Sequence, residues 1–270
     1  MISSLTTVIS YLSYLFRAKG RHSLHSPFVY QLMDHVIRGD SMKPEYETVE
    51  KIRRQMLRNS TSIVVKDWGT GGRIQKDYSR PVKSIAGDSA IRPATGRLIH
   101  RLAAWRQPRC ILELGTSLGI GTLYLQTACK NAELHTLEGS PAIANLALEN
   151  FRKAGFDQIH VHTGPFSNTL EPLLKTGIQP GLVYVDGDHE YEPTLQYFQT
   201  LLQYADHDMV IVFDDIHWSR GMEKAWRKII RHPRVKISLD LYQQGWVFLQ
   251  PGPFPQRYTL RCSASLPWNL

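Results

Sequence analysis

The chain has 270 residues, of which 42% are hydrophobic and 21% charged, a composition typical of a globular protein with one large domain. Its three cysteines, Cys110, Cys129 and Cys262, are scattered and form no CxxC pair. This pattern argues against a disulfide framework and against a cysteine zinc site, and it predicts a cytoplasmic protein.

The net charge of +8 is unevenly distributed along the chain. Residues 1–110 carry 19 Lys and Arg against 8 Asp and Glu, whereas residues 111–270 carry 13 against 16. The basic half could contact an anionic partner such as RNA or a phosphorylated substrate. No basic cluster interleaved with aromatic residues stands out, so nucleic acid is the disfavoured partner.

The first hundred residues are predicted to be largely helical. The opening segment, "MISSLTTVISYLSYLF", is too short to span a membrane and has helical apolar spacing. It therefore predicts an amphipathic helix that packs on the protein or on a second subunit of a homodimer, with attachment to a membrane surface as the alternative. Three more helices are predicted at "HSPFVYQLMDHVIRG", "YETVEKIRRQMLRN" and "ATGRLIHRLAAW". A loop or lid is predicted over residues 60–91, between the second and the third of them.

From Arg109 onward, short apolar runs alternate with longer helical patterns. This alternation predicts an α/β fold with a mainly parallel sheet. Helices are expected near 119–129, 141–154, 166–176, 191–204 and 219–231. The predicted parallel strands are "CILEL", "ELHTLE", "IHVHT", "LVYVD" and "MVIVFD", followed by an antiparallel hairpin of "VKISLDLY" and "GWVFLQ".

A glycine-rich turn follows the first of these strands. Gly115, Gly119 and Gly121 lie where "CILEL" runs into a helix, and glycine lets the backbone approach a ligand closely. Glu138 ends the next strand, where a carboxylate can accept hydrogen bonds from ribose hydroxyls. The turn and Glu138 together predict a nucleotide-binding site. A second glycine stretch, "IVVKDWGTGGR" at residues 63–73 with Asp88 at a plausible distance as its ribose ligand, is a weaker alternative because Pro81 interrupts the helix that should follow it.

Two further strands end in carboxylates, in "VYVDGDHEY" and "VIVFDDIHW". Because the carboxyl ends of parallel strands share one edge of the sheet, Asp186 is expected near Asp214 and Asp215. Two carboxylates about 4 Å apart repel by roughly 4 kcal/mol at an effective dielectric of 20. Three together favour a hard bridging cation, Mg²⁺ before Ca²⁺ or Mn²⁺. The alternative is that Asp214 or Asp215 caps the following helix.

These motifs, in order, resemble those of S-adenosylmethionine-dependent O-methyltransferases. The similarity covers about residues 85–250, and the motifs look most like those of the metal-dependent catechol, caffeoyl-CoA and macrolide-sugar enzymes. It implies a Rossmann-like seven-stranded methyltransferase sheet preceded by a helical extension and lid over residues 1–84 and followed by a tail, 251–270. The motifs are "ILELGTSLGIGTLYL", "TLEGSP", "HTGPFS", "VYVDGDHEY" and "FDDIHW".

The resemblance also implies roles for individual residues. Glu113 and Gly115 would line the methionine part of the cofactor, Glu138 would hold the ribose, and Gly164 to Ser167 would border the adenine. Gly121 stands where catechol-type enzymes carry a serine that holds the cofactor carboxylate, a contact that Thr122 or a lid residue could replace. The complete cofactor-binding prediction is Glu113, Gly115, Thr116, Ser117, Gly119, Glu138, Gly139, Gly164, Phe166 and Ser167.

His189, three residues after Asp186, is predicted to be the general base. In the resembling families Asp186, Asp214 and Asp215 match metal ligands, and the position of His189 is lysine or, in the macrolide-sugar enzymes, histidine. The alternative is a hydrogen-bonded surface histidine. His217 and Trp218 could wall the acceptor pocket, although packing is favoured for Trp218.

The sequence therefore predicts methyl transfer from S-adenosylmethionine, assisted by Mg²⁺, to a hydroxyl of a catechol- or diol-like small molecule. The alternatives are an RNA methyltransferase acting on a hydroxylated base and a catalytically silent module that binds S-adenosylmethionine.

Overall fold

The computed structural model describes residues 4–39, 42–68, 76–249 and 254–264. The chain forms two compact units, one made of Met1–Gly39 with Gly181–Leu270 and the other of Asp40–Pro180. The domain boundaries expected after residues 84 and 250 stay a prediction. Within the described part of the chain, no helix has both the length and the apolar character needed to cross a bilayer.

Apart from Val82–Ser89, the α-helices occur at the positions that apolar spacing predicts. Proline stands in the first turn of α2, α3, α5 and α7, where its missing N–H costs no hydrogen bond. A π-helical turn, Met33–Ile37, extends α2. The helices are α1 (Ser4–Arg17), α2 (Pro27–Leu32), α3 (Pro44–Arg58), α4 (Val82–Ser89), α5 (Pro93–Arg106), α6 (Ile120–Ala128), α7 (Pro141–Lys153), α8 (Phe166–Lys175), α9 (Tyr191–Tyr204) and α10 (Arg220–Ile229).

The strands confirm the predicted α/β class. In the unit Asp40–Pro180, β3, β4 and β5 lie in that order and are all parallel. In the other unit the order is β10, β8, β9, β7 and β6, where β6 is parallel to β7 and β8 forms the predicted antiparallel hairpin with β9. The strands are β1 (Ser62–Asp67), β2 (Lys76–Pro81), β3 (Cys110–Leu114), β4 (Glu133–Glu138), β5 (His160–Thr163), β6 (Leu182–Val185), β7 (Val210–Phe213), β8 (Ile237–Asp240), β9 (Gly245–Phe248) and β10 (Gln256–Thr259).

Two segments contain more regular structure than their sequences indicate. Part of the stretch expected to be a loop or lid forms the antiparallel pair β1–β2 and helix α4, so that prediction was wrong for these residues. In the segment expected to be a tail, β10 pairs in parallel with β8. Short polar strands are stabilised by cross-strand hydrogen bonds to a partner, which the periodicity of a single segment does not reveal.

The alternative glycine stretch does not form a strand–turn–helix unit. Strand β1 is followed by the antiparallel strand β2, and Asp88, the candidate ribose ligand of this alternative, forms an ion pair with Arg80. Gly69, Gly71 and Gly72 lie outside the described residues.

Helix α1 packs through only part of its surface. Tyr14 is fully buried, packs against the tilted ring of Tyr242 at a centroid distance of 5.2 Å and donates a hydrogen bond to the carbonyl of Leu260. Three apolar side chains that share another face remain exposed: Ile9, Leu12 and Phe16, the last at 91%. The predicted helix is confirmed, but its buried face is centred on Tyr14 and Ala18 rather than on the whole apolar stripe.

Candidate active site

The backbone between β3 and α6 forms a tight turn in the left-handed region. Gly115, Ser117 and Gly119 have φ values of 107°, 48° and 80°. Gly119 is required for two reasons, because a Cβ there would lie 2.3 Å from the ring of Phe151 and because this φ is unfavourable for other residues. The turn is held to β4 by hydrogen bonds from the N–H groups of Gly115 and Thr116 to the carbonyl of Leu137.

Glu138 lies at the end of β4, folded against this turn. Its Oε2 accepts a hydrogen bond from the N–H of Ser117 at 2.9 Å, and its Oε1 accepts one from the N–H of Ser140 at 2.9 Å. Burial raises the pKa of Glu138 to about 7, although the backbone N–H groups of Ser140, Ser117 and Gly139 oppose the shift. Since an ionised carboxylate offers about four acceptor sites, at least one remains for a ligand hydroxyl.

Glu113 is fixed by hydroxyl groups from two neighbouring elements. Its Oε2 accepts hydrogen bonds from Thr122 on α6 and from Thr136 on β4, the latter at 2.7 Å. Thr116 lies 2.6 Å from the Thr136 hydroxyl. The suggestion that Thr122 holds a cofactor carboxylate was wrong, because this side chain is fully buried and its only proton is donated to Glu113.

The remaining predicted cofactor residues lie beside Glu138 or at the start of α8. The N–H of Gly164 donates to the carbonyl of Glu138 at 2.9 Å. Phe166 is the first residue of α8 and is half-buried, whereas Ser167 is exposed and contacts Asn168. These positions agree with a site at the ends of β4 and β5, but the adenine contact itself stays a prediction.

Trp68 is a residue of this site that the sequence did not reveal. Its indole N–H donates to the carbonyl of Gly139 at 2.7 Å, and a Cβ at Gly139 would lie 2.9 Å from the indole Cδ1. The N–H of Lys66, two residues earlier, donates to the Ser140 hydroxyl at 3.2 Å. An aromatic residue before a glycine cluster was the available signal, but the sequence alone did not indicate that β1 packs here.

The carboxylates that end β6 and β7 come together as predicted. The two strands are paired in parallel, and the N–H of Asp214 donates to the carbonyl of Val185 at 2.9 Å. The hydroxyl of Tyr184 lies 3.3 Å from Asp186 Oδ2 and 2.9 Å from Asp214 Oδ2. One phenolic proton is thus available to two carboxylates, which leaves one of them without it at any moment.

His189 lies against the same carboxylates. Its Nε2 is 3.4 Å from Asp186 Oδ1 and 3.8 Å from Asp215 Oδ2. Burial alone would lower the pKa of His189, but the hydrogen bond to Asp186 and the charges of Asp215, Asp186 and Asp214 raise it to about 9. The imidazole is therefore protonated at neutral pH in this arrangement and compensates part of the negative charge.

Asp214 carries most of the electrostatic cost of this cluster. Burial and the charges of Asp186 and Asp215 raise the pKa of Asp214 well above its usual range. Its Oδ1 is buried and accepts no hydrogen bond. A buried, unbonded carboxylate oxygen beside two other acids is a poor arrangement by itself and a suitable one for a cation.

The spacing of the acidic cluster is wider than that of a loaded metal site. Among the described residues, the one set of three ligand atoms within 4.8 Å of one another belongs to Cys110, Glu133 and His135. The oxygen-rich donor set fits Mg²⁺ or a similar hard ion.

The backbone conformation of Asp188 and Asp215 and the cap of α10 test whether these acids have a structural role instead. Asp188 and Asp215 both have φ of 57°, a conformation that is uncommon for residues other than glycine and that often marks functional sites. Asp188 accepts a hydrogen bond from Tyr197. Helix α10 is capped by Ser219, whose Oγ accepts from the N–H of Met222 at 3.1 Å, so neither Asp214 nor Asp215 is its cap.

His217 and Trp218 differ from expectation. The His217 ring is buried, with Nδ1 3.3 Å from Glu223 and Nε2 3.2 Å from Asp240. Burial would lower its pKa, but hydrogen bonds to Asp240 and Glu223 raise it to about 9, so His217 carries a charge held between these two acids. Trp218, for which packing was favoured, is 38% exposed.

Comparison with known proteins agrees with this geometry. Residues 112–216 match the family model described as a methyltransferase domain. Catechol O-methyltransferases of Niastella koreensis and Mycobacterium tuberculosis are each 33% identical over 130 and 129 residues, or 47% of this chain. The chain spans 58% and 57% of the length of these two relatives.

Solved structures show the same fold at lower identity. An O-methyltransferase from Bacillus cereus in complex with SAH has a TM-score of 0.56 at 18% identity, covering 81% of this chain and 95% of that one. An O-methyltransferase of Streptomyces achromogenes involved in tomaymycin synthesis, in complex with SAM, has a TM-score of 0.57 at 19% identity, covering 83% and 95%.

The fold is thus the Rossmann-like fold of class I methyltransferases, as predicted. Residues 112–216, which run from β3 to the residue after Asp215, carry the similarity to the methyltransferase domain family.

Proposed function

We propose that this chain transfers a methyl group from S-adenosylmethionine to a hydroxyl oxygen of a catechol- or diol-like small molecule. The observation that carries the proposal is the acidic cluster at the ends of β6 and β7, in which Asp214 Oδ1 is buried and unbonded. The catechol O-methyltransferases among its relatives support the substrate class.

The chain's own residues supply binding and positioning of the methyl donor. Glu138, with two backbone N–H donors and open acceptor sites, would bind the ribose hydroxyls. The backbone of the turn at Gly115 and Gly119 would let the methionine part approach closely. Glu113, fixed by Thr122 and Thr136, would present a fixed negative charge to the methionine ammonium group.

Asp186, Asp214 and Asp215 would hold Mg²⁺ or a similar hard divalent ion. Such an ion, when bound, lowers the pKa of a coordinated hydroxyl, as it does for bound water. The positive charge of the ion would also counteract the aspartate charges that raise the pKa of His189. The imidazole would then be neutral and would accept the hydroxyl proton at Nε2. Orientation of donor and acceptor would provide most of the remaining rate enhancement.

A turnover assay with labelled S-adenosylmethionine and a catechol acceptor tests the proposal. We expect EDTA to reduce turnover by about 10²-fold or more and excess Mg²⁺ to restore it, since metal activation provides several kcal/mol.

Cofactor binding without turnover on any hydroxyl acceptor would instead indicate a silent binding module. RNA binding that weakens steeply with salt would indicate the RNA methyltransferase. The homodimer and the cytoplasmic location stay predictions.

A further inference from the structure

A second group of metal-ligating side chains lies at the beginning of β3, β4 and β5. Cys110 and Glu133 are the first residues of β3 and β4 and are paired in register. His135 lies two residues after Glu133, on the same face of the strand, and His160 lies opposite His135 on β5. None of these side chains takes part in the proposed methyl transfer.

The ligand atoms of three of these residues are already close together. Cys110 Sγ, a carboxylate oxygen of Glu133 and a ring nitrogen of His135 all lie within 4.8 Å of one another. His135 Nε2 is 2.9 Å from Glu133 Oε1. In a tetrahedral zinc site, with metal–ligand bonds of about 2.0–2.3 Å, neighbouring ligand atoms are about 3.3–3.8 Å apart. Small side-chain rotations would therefore complete the site.

A further histidine, His162, contacts the His135 ring on the side away from Glu133. His135 Nδ1 is 3.0 Å from His162 Nε2, so the ring nitrogen that faces away from Glu133 already has a hydrogen-bond partner. Metal-bound histidines usually donate their other N–H in this way, which fixes the tautomer and the ring orientation. The imidazole of His160 stacks on His135 at a centroid distance of 4.8 Å.

Burial and position separate this group from the glycine turn. Cys110 and His135 are buried and Glu133 is exposed, so a cation could enter from the side of Glu133. Glu133 and Glu138 are the two ends of β4, about 16 Å apart at 3.3 Å per residue. The group thus lies at the opposite end of β4 from the predicted cofactor residues.

We propose that Cys110, Glu133 and His135 form a binding site for a borderline divalent transition-metal cation of the Zn²⁺ class. A thiolate and an imidazole select such ions over Mg²⁺, which prefers oxygen ligands. The bound ion would join the beginnings of β3 and β4 and stabilise the folded chain, because the three ligands come together only after folding.

Cobalt titration of the full chain tests the site directly, because a thiolate bound to Co²⁺ gives a near-ultraviolet charge-transfer band that the acidic cluster cannot produce. We expect one equivalent of Co²⁺ to give this band and Zn²⁺ to displace it. Cys110→Ala should abolish the band. Cys129→Ala is the matched control, because Cys129 is also buried, and its Sγ instead donates to the carbonyl of Ala103. Absence of the band in the unaltered protein, or its persistence in Cys110→Ala, would overturn the proposal.

A second variant keeps the test valid if Cys110→Ala fails to fold. Glu133 is exposed, so Glu133→Gln should fold normally and should weaken Co²⁺ binding at least tenfold. The control is Glu171→Gln, which removes the charge of another exposed acid, on α8, and should leave the affinity for Co²⁺ unchanged. Equal Co²⁺ affinities for Glu133→Gln and the unaltered protein, or saturation only at millimolar Co²⁺, would show that binding is adventitious and would overturn the site.

Discussion

The glycine turn and the acidic cluster both place carboxylates at the ends of parallel strands, but they treat the negative charge differently. At the turn, Glu113 and Glu138 each accept hydrogen bonds from two neutral donors. In the cluster, three aspartates lie close to one another and to the His189 imidazole, and the charges of Asp186 and Asp215 help to raise the pKa of Asp214 well above its usual range. A carboxylate held by neutral donors suits a polyhydroxyl ligand, whereas crowded carboxylates suit a cation.

The largest expected effect comes from removing one charge from the cluster. Asp214→Asn should reduce methyl transfer by about 10³-fold or more, since a metal ligand is lost. The same change should leave the affinity for S-adenosylmethionine within about twofold, because the turn is untouched. Without metal, the variant should melt at a slightly higher temperature, since a buried, repelled carboxylate is replaced by a neutral amide. Turnover, calorimetric binding and thermal unfolding in EDTA measure the three quantities.

Asp188→Asn is the control for this substitution. Asp188 also follows β6, but it accepts a hydrogen bond from Tyr197, and asparagine tolerates its φ of 57°. This variant should retain turnover within a few-fold. Equal losses in Asp188→Asn and Asp214→Asn would mean that the loop after β6, rather than the cation site, limits the reaction.

The pH dependence of stability should report the burial of the Glu138 carboxyl. The pKa of Glu138 is about 7 in the folded protein against a usual value of 4.5, so its ionised form is disfavoured by folding. The stability that the protonated form provides is complete below pH 4.5 and is lost as the pH rises through 7, about 3 kcal/mol at most. Urea unfolding at pH 5 and pH 8 should show a decrease to which Asp214, whose pKa is also raised, contributes with the same sign, and Glu138→Gln should make the decrease smaller. An unchanged pH dependence in Glu138→Gln would assign the effect to other groups.

Replacing His189, the predicted base, should lower turnover without changing the binding of S-adenosylmethionine or of the divalent ion. His189→Gln is expected to lower kcat about 10²-fold, at the lower end of the contribution of a general base, and to flatten the pH profile on its acidic side. The exposed His207 is a suitable control, and His207→Gln should leave kcat unchanged. A loss of S-adenosylmethionine affinity equal to the loss of kcat would contradict the role of a base.

The smallest effect is expected at the turn itself. Glu138→Gln should weaken S-adenosylmethionine binding about tenfold, or about 1.4 kcal/mol, because an amide accepts fewer hydroxyl hydrogen bonds than a carboxylate. Metal binding should remain normal. Glu149→Gln, on the exposed side of α7, controls for the loss of charge, and isothermal calorimetry measures both variants. If Glu138→Gln bound as tightly as the unaltered chain, the ribose would have to bind elsewhere.

Local patterns were sufficient for the elements that build both sites. Alternating apolar runs and helical spacings located β3 to β9 and the helices between them within one or two residues. They did not locate β1, β2 and β10, which are short, partly polar strands stabilised by their partners. Trp68 was missed for the same reason, because its contact with Gly139 depends on where β1 lies.

The sequence by itself determined the fold class and the acidic strand ends, because apolar periodicity is local and parallel strands end at a common edge. Only the tertiary structure decided how individual polar groups are paired. Thr122 donates to Glu113, and His217 lies between Glu223 and Asp240. Cys110, Glu133 and His135 are similarly joined only by the register of β3 with β4. The physical reason is that hydrogen bonds and ligand distances depend on ångström-level placement of residues far apart in the chain, which no single segment encodes.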